Sequence, residues 1–269
     1  MHDFKPELDA IAERFADYRS RGLKCFATSS FQTNSVALLH VIATLAPEVT
    51  VYFVNTGFHF AETLSFRDQL AKELGITVRS VRSSMPRIHQ RDGTGKLLFA
   101  CDPDRCCHIN KVEPLEQAIL THDVWVNGVR ASQSATRAAM KVEARGRHGV
   151  LRYHPLLQWT PLMVHQYLEQ HQLPRHPLEA EGYFSVGCQP CTRKLDLESG
   201  LDDRGGRWFG MKKTECGLHM GVVDADPSEG DPVAREGSGD PGGGRPPAAA
   251  VGGPGGVPPQ DRTRVESET

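Results

Sequence analysis

The chain has no long apolar run: no stretch of its 269 residues stays apolar over the roughly 20 positions a helical membrane span needs. The opening Met1-His2-Asp3-Phe4-Lys5-Pro6 lacks the apolar core of a signal peptide. Neither sign of charge prevails, since 31 Lys and Arg stand against 33 Asp and Glu for a net charge of −2. A global nucleic-acid or membrane binder would carry a clear basic excess. These absences predict a cytoplasmic protein with neither nucleic acid nor membrane as partner. A Walker-type G-x-x-x-x-G-K-[ST] loop is also missing, so any phosphate must be held in another way.

From about Val222 onward, large apolar residues become scarce. Asp240-Pro241-Gly242-Gly243-Gly244-Arg245-Pro246-Pro247 typifies this stretch, which cannot offset its ordering entropy by burial. Two parts are therefore predicted: a folded domain over 1–221, including a C-terminal segment 202–220, and a Gly/Pro-rich disordered tail over 222–269.

Within the first part, strand-like runs alternate with amphipathic segments. Lys24 to Thr28, Val51 to Val54, Thr77 to Val81 and Val124 to Val129 read as strands. Ser35 to Ala46 and Phe60 to Leu74 read as helices, the second closed by Gly75. Thr160-Pro161 marks the start of another helix reaching Gln170. This alternation predicts an α/β fold with a mostly parallel sheet flanked by helices. Such sheets bind ligands in the loops that follow the strands' carboxyl ends.

Three of those loops carry suitable groups. Ser29-Ser30-Phe31-Gln32-Thr33-Asn34-Ser35 enters a helix with hydroxyls and backbone N–H groups, which suit an anion; an ordinary N-cap has the same composition. Asn55-Thr56-Gly57-Phe58-His59 enters the next helix. Gly128-Val129-Arg130-Ala131-Ser132-Gln133-Ser134-Ala135-Thr136-Arg137 offers two guanidinium groups, each a fork of donors for an oxyanion. A solvated surface loop also fits the third pattern.

There are seven cysteines. In a reducing compartment, clustered thiols point to metal binding or catalysis rather than disulfides. The adjacent Cys106-Cys107 and the Cys188-x-x-Cys191 pair can give one centre four thiolates, which suit zinc or an iron–sulfur cluster. Adjacency is unusual for tetrahedral zinc and favours a cluster. Cys25 and Cys101 read as a core and an incidental thiol. Cys216, in Lys212-Lys213-Thr214-Glu215-Cys216-Gly217-Leu218-His219, has basic neighbours that favour the reactive thiolate.

Taken together, these motifs resemble the phosphoadenylyl/adenylyl-sulfate reductase family, whose core shares the adenine-nucleotide alpha-hydrolase fold. The resemblance runs from about Gly22 to Met220. It is carried by Cys106-Cys107-His108-Ile109-Asn110-Lys111-Val112-Glu113-Pro114-Leu115, Gly182 to Lys194 around Cys188-Gln189-Pro190-Cys191, Arg204-Gly205-Gly206-Arg207-Trp208-Phe209-Gly210, and Glu215-Cys216-Gly217-Leu218-His219. It implies a 4Fe–4S cluster on Cys106, Cys107, Cys188 and Cys191, and Cys216 as the catalytic nucleophile. It further implies substrate contacts from Ser29, Ser30, Phe31, Thr56, Gly57, Lys111, Arg130, Arg204, Arg207 and His219.

The activity implied is reduction of adenosine 5′-phosphosulfate (APS) to sulfite and AMP through an S-sulfocysteine, in sulfate assimilation and cysteine biosynthesis. Thioredoxin or glutaredoxin would be the reductant, and the protein a homo-oligomer. The family branch without the two cysteine pairs uses the 3′-phosphorylated substrate (PAPS), which makes a PAPS reductase the nearest alternative. An ATP-pyrophosphatase or sulfurtransferase would carry S-G-G-x-D-S in the first loop, which Ser29 to Ser35 does not match. A zinc-stabilised interaction module is a non-enzymatic alternative. Two departures from the family stand in the loops: Gln32-Thr33-Asn34-Ser35 lacks an acidic residue common in cluster-bearing relatives, and Asn55 stands where aspartate is common.

Overall fold

The computed structural model describes residues 2–195, 205–208, 210, 213 and 218. Arg204, Cys216, His219 and the stretch 222–269 lie outside the described residues. All described residues belong to the first of two units, Met1–Ser228.

Helix α1 (Lys5–Ser20) has a proline in its first turn and buries Ile11, Phe15 and Tyr18. Their spacing is helical, yet α1 is not among the elements read from the sequence. Then follow β1 (Cys25–Thr28), α2 (Thr33–Leu45), β2 (Thr50–Val54), α3 (Ala61–Leu74) and β3 (Val78–Val81), each within two residues of its expected bounds. Gly75 closes α3 in the left-handed region, at φ 64°, where a missing Cβ removes the steric penalty.

The next stretch is short and irregular: α4 (Leu98–Cys101), α5 (Pro103–Cys107), a π-helical turn His108–Val112, and α6 (Glu113–Thr121). Strand β4 (Val124–Asn127) stops before the expected Val129, because Gly128-Val129 already belongs to the loop lining the cleft. Helix α7 (Ala135–Ala138), strands β5 (Glu143–Arg145) and β6 (Leu151–Tyr153), and helix α8 (Pro161–Gln170) complete the order. At the start of α8, Thr160 Oγ1 accepts from Met163 N at 3.1 Å, the cap its sequence predicts.

The six strands form one sheet in the order β3-β2-β1-β4-β6-β5. Every neighbouring pair is parallel except β5 with β6. Alternation along the strands fills two cores. Ala27, Val51, Phe53, Val124 and Val126 face one side, with α2 and residues of α1 and α8. Phe26, Tyr52 and Trp125 face the other, beneath Leu115, Ala118 and Ile119 of α6. Helix α2 buries seven of its thirteen residues, as a helix enclosed by other elements must.

The chain runs outward from β1 to β2 and β3 on one side; on the other, β4 is followed by the edge strand β5 and then by β6, which lies between them. The boundary of β1 and β4 is therefore the point where strand order reverses, and a crevice opens there at the strands' carboxyl ends. Among the described residues, no helix is long and apolar enough to cross a membrane.

Candidate active site

That crevice is a cleft of about 1020 Å³. Thr28, Ser29 and Ser30 after β1 and Asn127, Gly128 and Val129 after β4 form part of its lining. Asn34 and Ser35, in the first turn of α2, also line it. Among the described residues no side chain caps the N-terminus of α2; Ser35 N donates to the Gln32 carbonyl at 2.8 Å, and the N–H groups of Thr33 and Asn34 ahead of it suit an anion. Among the described lining residues stand Lys111, Arg137 and Arg207 but no aspartate or glutamate. In a protein of net charge −2, such local bias selects an anionic ligand.

The first loop divides its labour. Ser29 and Ser30 line the cleft, and Ser29 Oγ also accepts from Phe31 N at 3.1 Å. The Phe31 ring is wholly buried against Phe53, with centroids 5.7 Å apart. Its backbone sits at φ 56°, a strained setting for an aromatic residue that its buried ring helps to hold. Gln32 Oε1 accepts from Val186 N at 3.0 Å, tying the loop that carries Cys188 to the start of α2.

The second loop lies nearer the cysteines than the cleft. Thr56 and Gly57 do not line the cleft, because local contacts hold them. Asn55 Oδ1 accepts from Gly57 N at 3.0 Å, and Thr56 Oγ1 accepts from Phe58 N at 3.2 Å. Thr56 Oγ1 also lies 3.2 Å from Cys188 Sγ. The Gly57 carbonyl accepts from the Arg87 guanidinium. At φ 73°, where a side chain is strained, and with Arg87 Cδ 3.0 Å from where a Cβ would stand, position 57 favours glycine.

His59, which sequence reasoning passed over, does line the cleft. Its Nε2 lies 3.0 Å from the Val54 carbonyl, which can only accept, so Nε2 carries the proton. Burial lowers its pKa to about 4, so the ring is neutral at pH 7.

The structure places the two arginines of the third loop differently. Arg130 is 2% exposed and lies outside the cleft lining. Arg137 lines the cleft, its guanidinium donating to Gln133 Oε1. Helical spacing inside a short irregular loop was too weak a signal to choose between them.

A second cavity, of about 360 Å³, is lined by Cys106, Cys107, Cys188 and Cys191 together with Phe58, Phe99, Pro103, Pro190 and Trp208. Asp102 starts α5 by accepting from Arg105 N at 2.9 Å, and the helix delivers Cys106 and Cys107 at its last two positions. The π-helical turn that follows, a feature frequent at functional sites, carries Lys111. Cys188 and Cys191 flank a tight turn closed by Cys191 N donating to Cys188 O at 2.9 Å. Burial pushes the Cys106 thiol up to about 11, reinforced by Cys107, Cys188 and Cys191. The Cys191 thiol is raised by burial and then by Cys188 and Cys107, while Lys111 and Arg207 pull it down.

Four soft, mutually repelling sulfur donors in one apolar cavity fit a thiolate-bound metal centre. Among the described residues, no three His, Cys, Asp or Glu side chains close on a single point as ligands of one ion. Cys25 is half-buried and Cys101 exposed; neither lines this cavity.

The two cavities share Lys111, Cys188 and Trp208. Arg207 lines the cleft from the C-terminal segment, its Nε donating to Cys191 O at 3.3 Å. Trp208 N donates to Cys191 O at 3.1 Å, and Arg193 N to Gly206 O at 3.0 Å, so segment 205–208 is bound to the Cys188–Cys191 turn. Lys213 pairs with Asp104 of α5, and Leu218 lines the cleft. Cys216 falls between these two described residues in sequence.

A doubly wound α/β sheet with an anion-selective cleft at its switch point, beside a four-thiol cavity, defines the class. Residues 24–194 match the phosphoadenosine phosphosulfate reductase domain, and the chain belongs to that family. It is 40% identical over 200 residues to the adenosine 5′-phosphosulfate reductase of Mesorhizobium japonicum, covering 74% of this chain and 77% of that one. It is 38% identical over 203 residues to the phosphoadenosine 5′-phosphosulfate reductase of Gloeobacter violaceus, covering 75% and 84%. The fold is shared with the phosphoadenylyl-sulfate reductase of Candida auris in its phosphate complex, at a TM-score of 0.54 and 20% identity over 70% of this chain and 97% of that one.

Proposed function

We propose that this protein reduces adenosine 5′-phosphosulfate to sulfite and AMP, drawing two electrons from a thioredoxin-type dithiol. The observation that carries this reading is the shared wall of the two cavities, formed by Lys111, Cys188 and Trp208. A nucleotide lying in the cleft with its sulfate toward that wall meets Lys111 and Arg207 at the sulfur end.

The four cysteines would hold a 4Fe–4S cluster. Cys106 and Cys107 are consecutive on a helix, so their side chains diverge by about 100°. That divergence suits two corners of a cluster better than two ligands of one small ion. When bound, the cluster supplies a fixed structural and electrostatic centre beside the sulfate.

The remaining steps belong to the chain's own residues. Ser29, Ser30 and the N-terminus of α2 receive the nucleotide phosphate. Lys111 and Arg207, joined by Arg204 and His219, neutralise the sulfate so that an anionic nucleophile can approach. The Cys216 thiolate attacks the sulfate sulfur, forming an S–S bond as the bond from sulfur to the bridging phosphate oxygen breaks and AMP leaves. One thiolate of the reductant then attacks Cys216 Sγ, expelling sulfite and leaving a mixed disulfide. Its second thiol resolves that disulfide, so the dithiol is oxidised and sulfur passes from sulfate to sulfite.

The Gloeobacter relative named for the 3′-phosphorylated substrate keeps PAPS as the second reading. Sulfite release from each nucleotide with reduced thioredoxin decides. A higher kcat/KM with APS supports the proposal, a higher one with PAPS transfers the same chemistry to that substrate, and sulfite from neither refutes both.

A further inference from the structure

Gln90 and Asn110 face each other as a reciprocal amide pair. Gln90 Nε2 donates to Asn110 Oδ1 at 3.0 Å, and Asn110 Nδ2 donates to Gln90 Oε1 at 2.6 Å. Both residues are buried, at 2% and 3% exposure. The second Gln90 N–H is taken by the Met85 carbonyl at 3.0 Å. The second Asn110 N–H points at one residue, with Nδ2 lying 3.0 Å from Cys106 O and 3.6 Å from Cys106 Sγ. A buried amide pair is costly unless each group is satisfied. Here that requirement fixes the Asn110 amide with an N–H facing a thiol of the four-cysteine cavity.

We propose that Gln90 and Asn110 are a positioning pair for the metal centre: Gln90 locks the Asn110 amide, whose N–H bonds the Cys106 sulfur. This inference rests on the cluster reading above. An N–H···S bond offsets negative charge on the ligating sulfur. Reduction of a cluster adds such charge, so the bond raises the reduction potential, and by holding the Cys106 sulfur in place it slows loss of iron. Neither residue lines the nucleotide cleft.

The test compares wild type, Asn110→Asp, the double variant Asn110→Leu/Gln90→Leu, and Gln90→Met, each purified and reconstituted without oxygen. Iron and sulfide are counted first. If the wild type holds neither, the cluster reading fails and the inference falls with it. In loaded protein, the double variant is expected to titrate at a more negative potential than wild type. Asn110→Asp, which places a carboxylate beside the sulfur, moves further in the same direction. Gln90→Met keeps the amide but loosens it, giving a smaller shift of the same sign and guarding against failure of the others to load. Iron release to a chelator should quicken about 10-fold or more in the Asn110 variants. A loaded wild type with unchanged potentials and release rates in the loaded variants overturns the pair's role while leaving the cluster in place.

Discussion

The guanidinium of Arg207 crosses Gly187 so closely that a Cβ there would stand 2.2 Å from Nη2 and 2.4 Å from Cζ. Glycine at 187 thus clears the path by which a cation of the C-terminal segment enters the cleft beside Cys188. The obstructed atoms are the far end of a flexible side chain, so Gly187→Ala is expected to move Arg207 rather than unfold the protein. The expected result is a fall in kcat/KM of about 10²-fold, as for a misplaced charge at a reacting group. The urea midpoint should hardly change. A variant of wild-type activity would remove Arg207 from the sulfate site.

Lys111 belongs to both cavity walls. Lys111→Met should lower kcat/KM by about 10²- to 10³-fold, the usual scale for a lost electrostatic contact to a reacting group. AMP, which lacks the sulfate, should lose far less affinity. Calorimetry with AMP alongside turnover measurements separates this from general damage to the cleft.

Much of this arrangement was legible in the sequence. Strands β1 and β2 and helices α2 and α3 are long apolar or amphipathic runs, and burial on both faces of the sheet wrote itself into them. The two cysteine pairs were legible because clustered thiols have few other uses in a chain of this kind. The rest depended on contacts between distant segments. Phe31 turns inward because a core lies beneath its loop. Thr56 is taken up by the cysteine cavity because Cys188 comes to lie beside it, 132 positions along the chain. The choice of Arg137 over Arg130 turns on how one short loop folds back over the sheet. Strands β5 and β6 are three residues each, too short for alternation to stand out.

Lys213 is 7% exposed and paired with Asp104 of α5. Asp104→Ala leaves that buried ammonium without its partner. The aspartate's own exposure moderates the loss to about 1–2 kcal/mol. The expected result is about a 10-fold lower kcat, with faster limited proteolysis around residues 205–220 and unchanged iron content. Unchanged kcat and proteolysis would show that the pair does not hold the segment.

Burial holds His59 and His154 at pKa values of about 4, against about 6.5 in an unfolded chain. Below pH 6.5 the unfolded chain takes up protons at these rings that the folded protein does not. Stability is therefore full above that pH and falls as pH drops toward 4, by about 1.4 kcal/mol per pH unit for each ring. Urea unfolding at pH 7, 6 and 5 measures the slope, and His154→Gln should reduce it by one ring's share. An unchanged slope in that variant would contradict the assignment.

Covalent catalysis by Cys216 is tested by the intact mass of the protein after mixing with APS in the absence of any reductant. A gain of one sulfonate group is expected, located on Cys216, lost on adding reduced thioredoxin and absent from Cys216→Ser. A wild-type protein that releases sulfite without ever carrying that adduct, or a Cys216→Ser variant that still turns over, would contradict it.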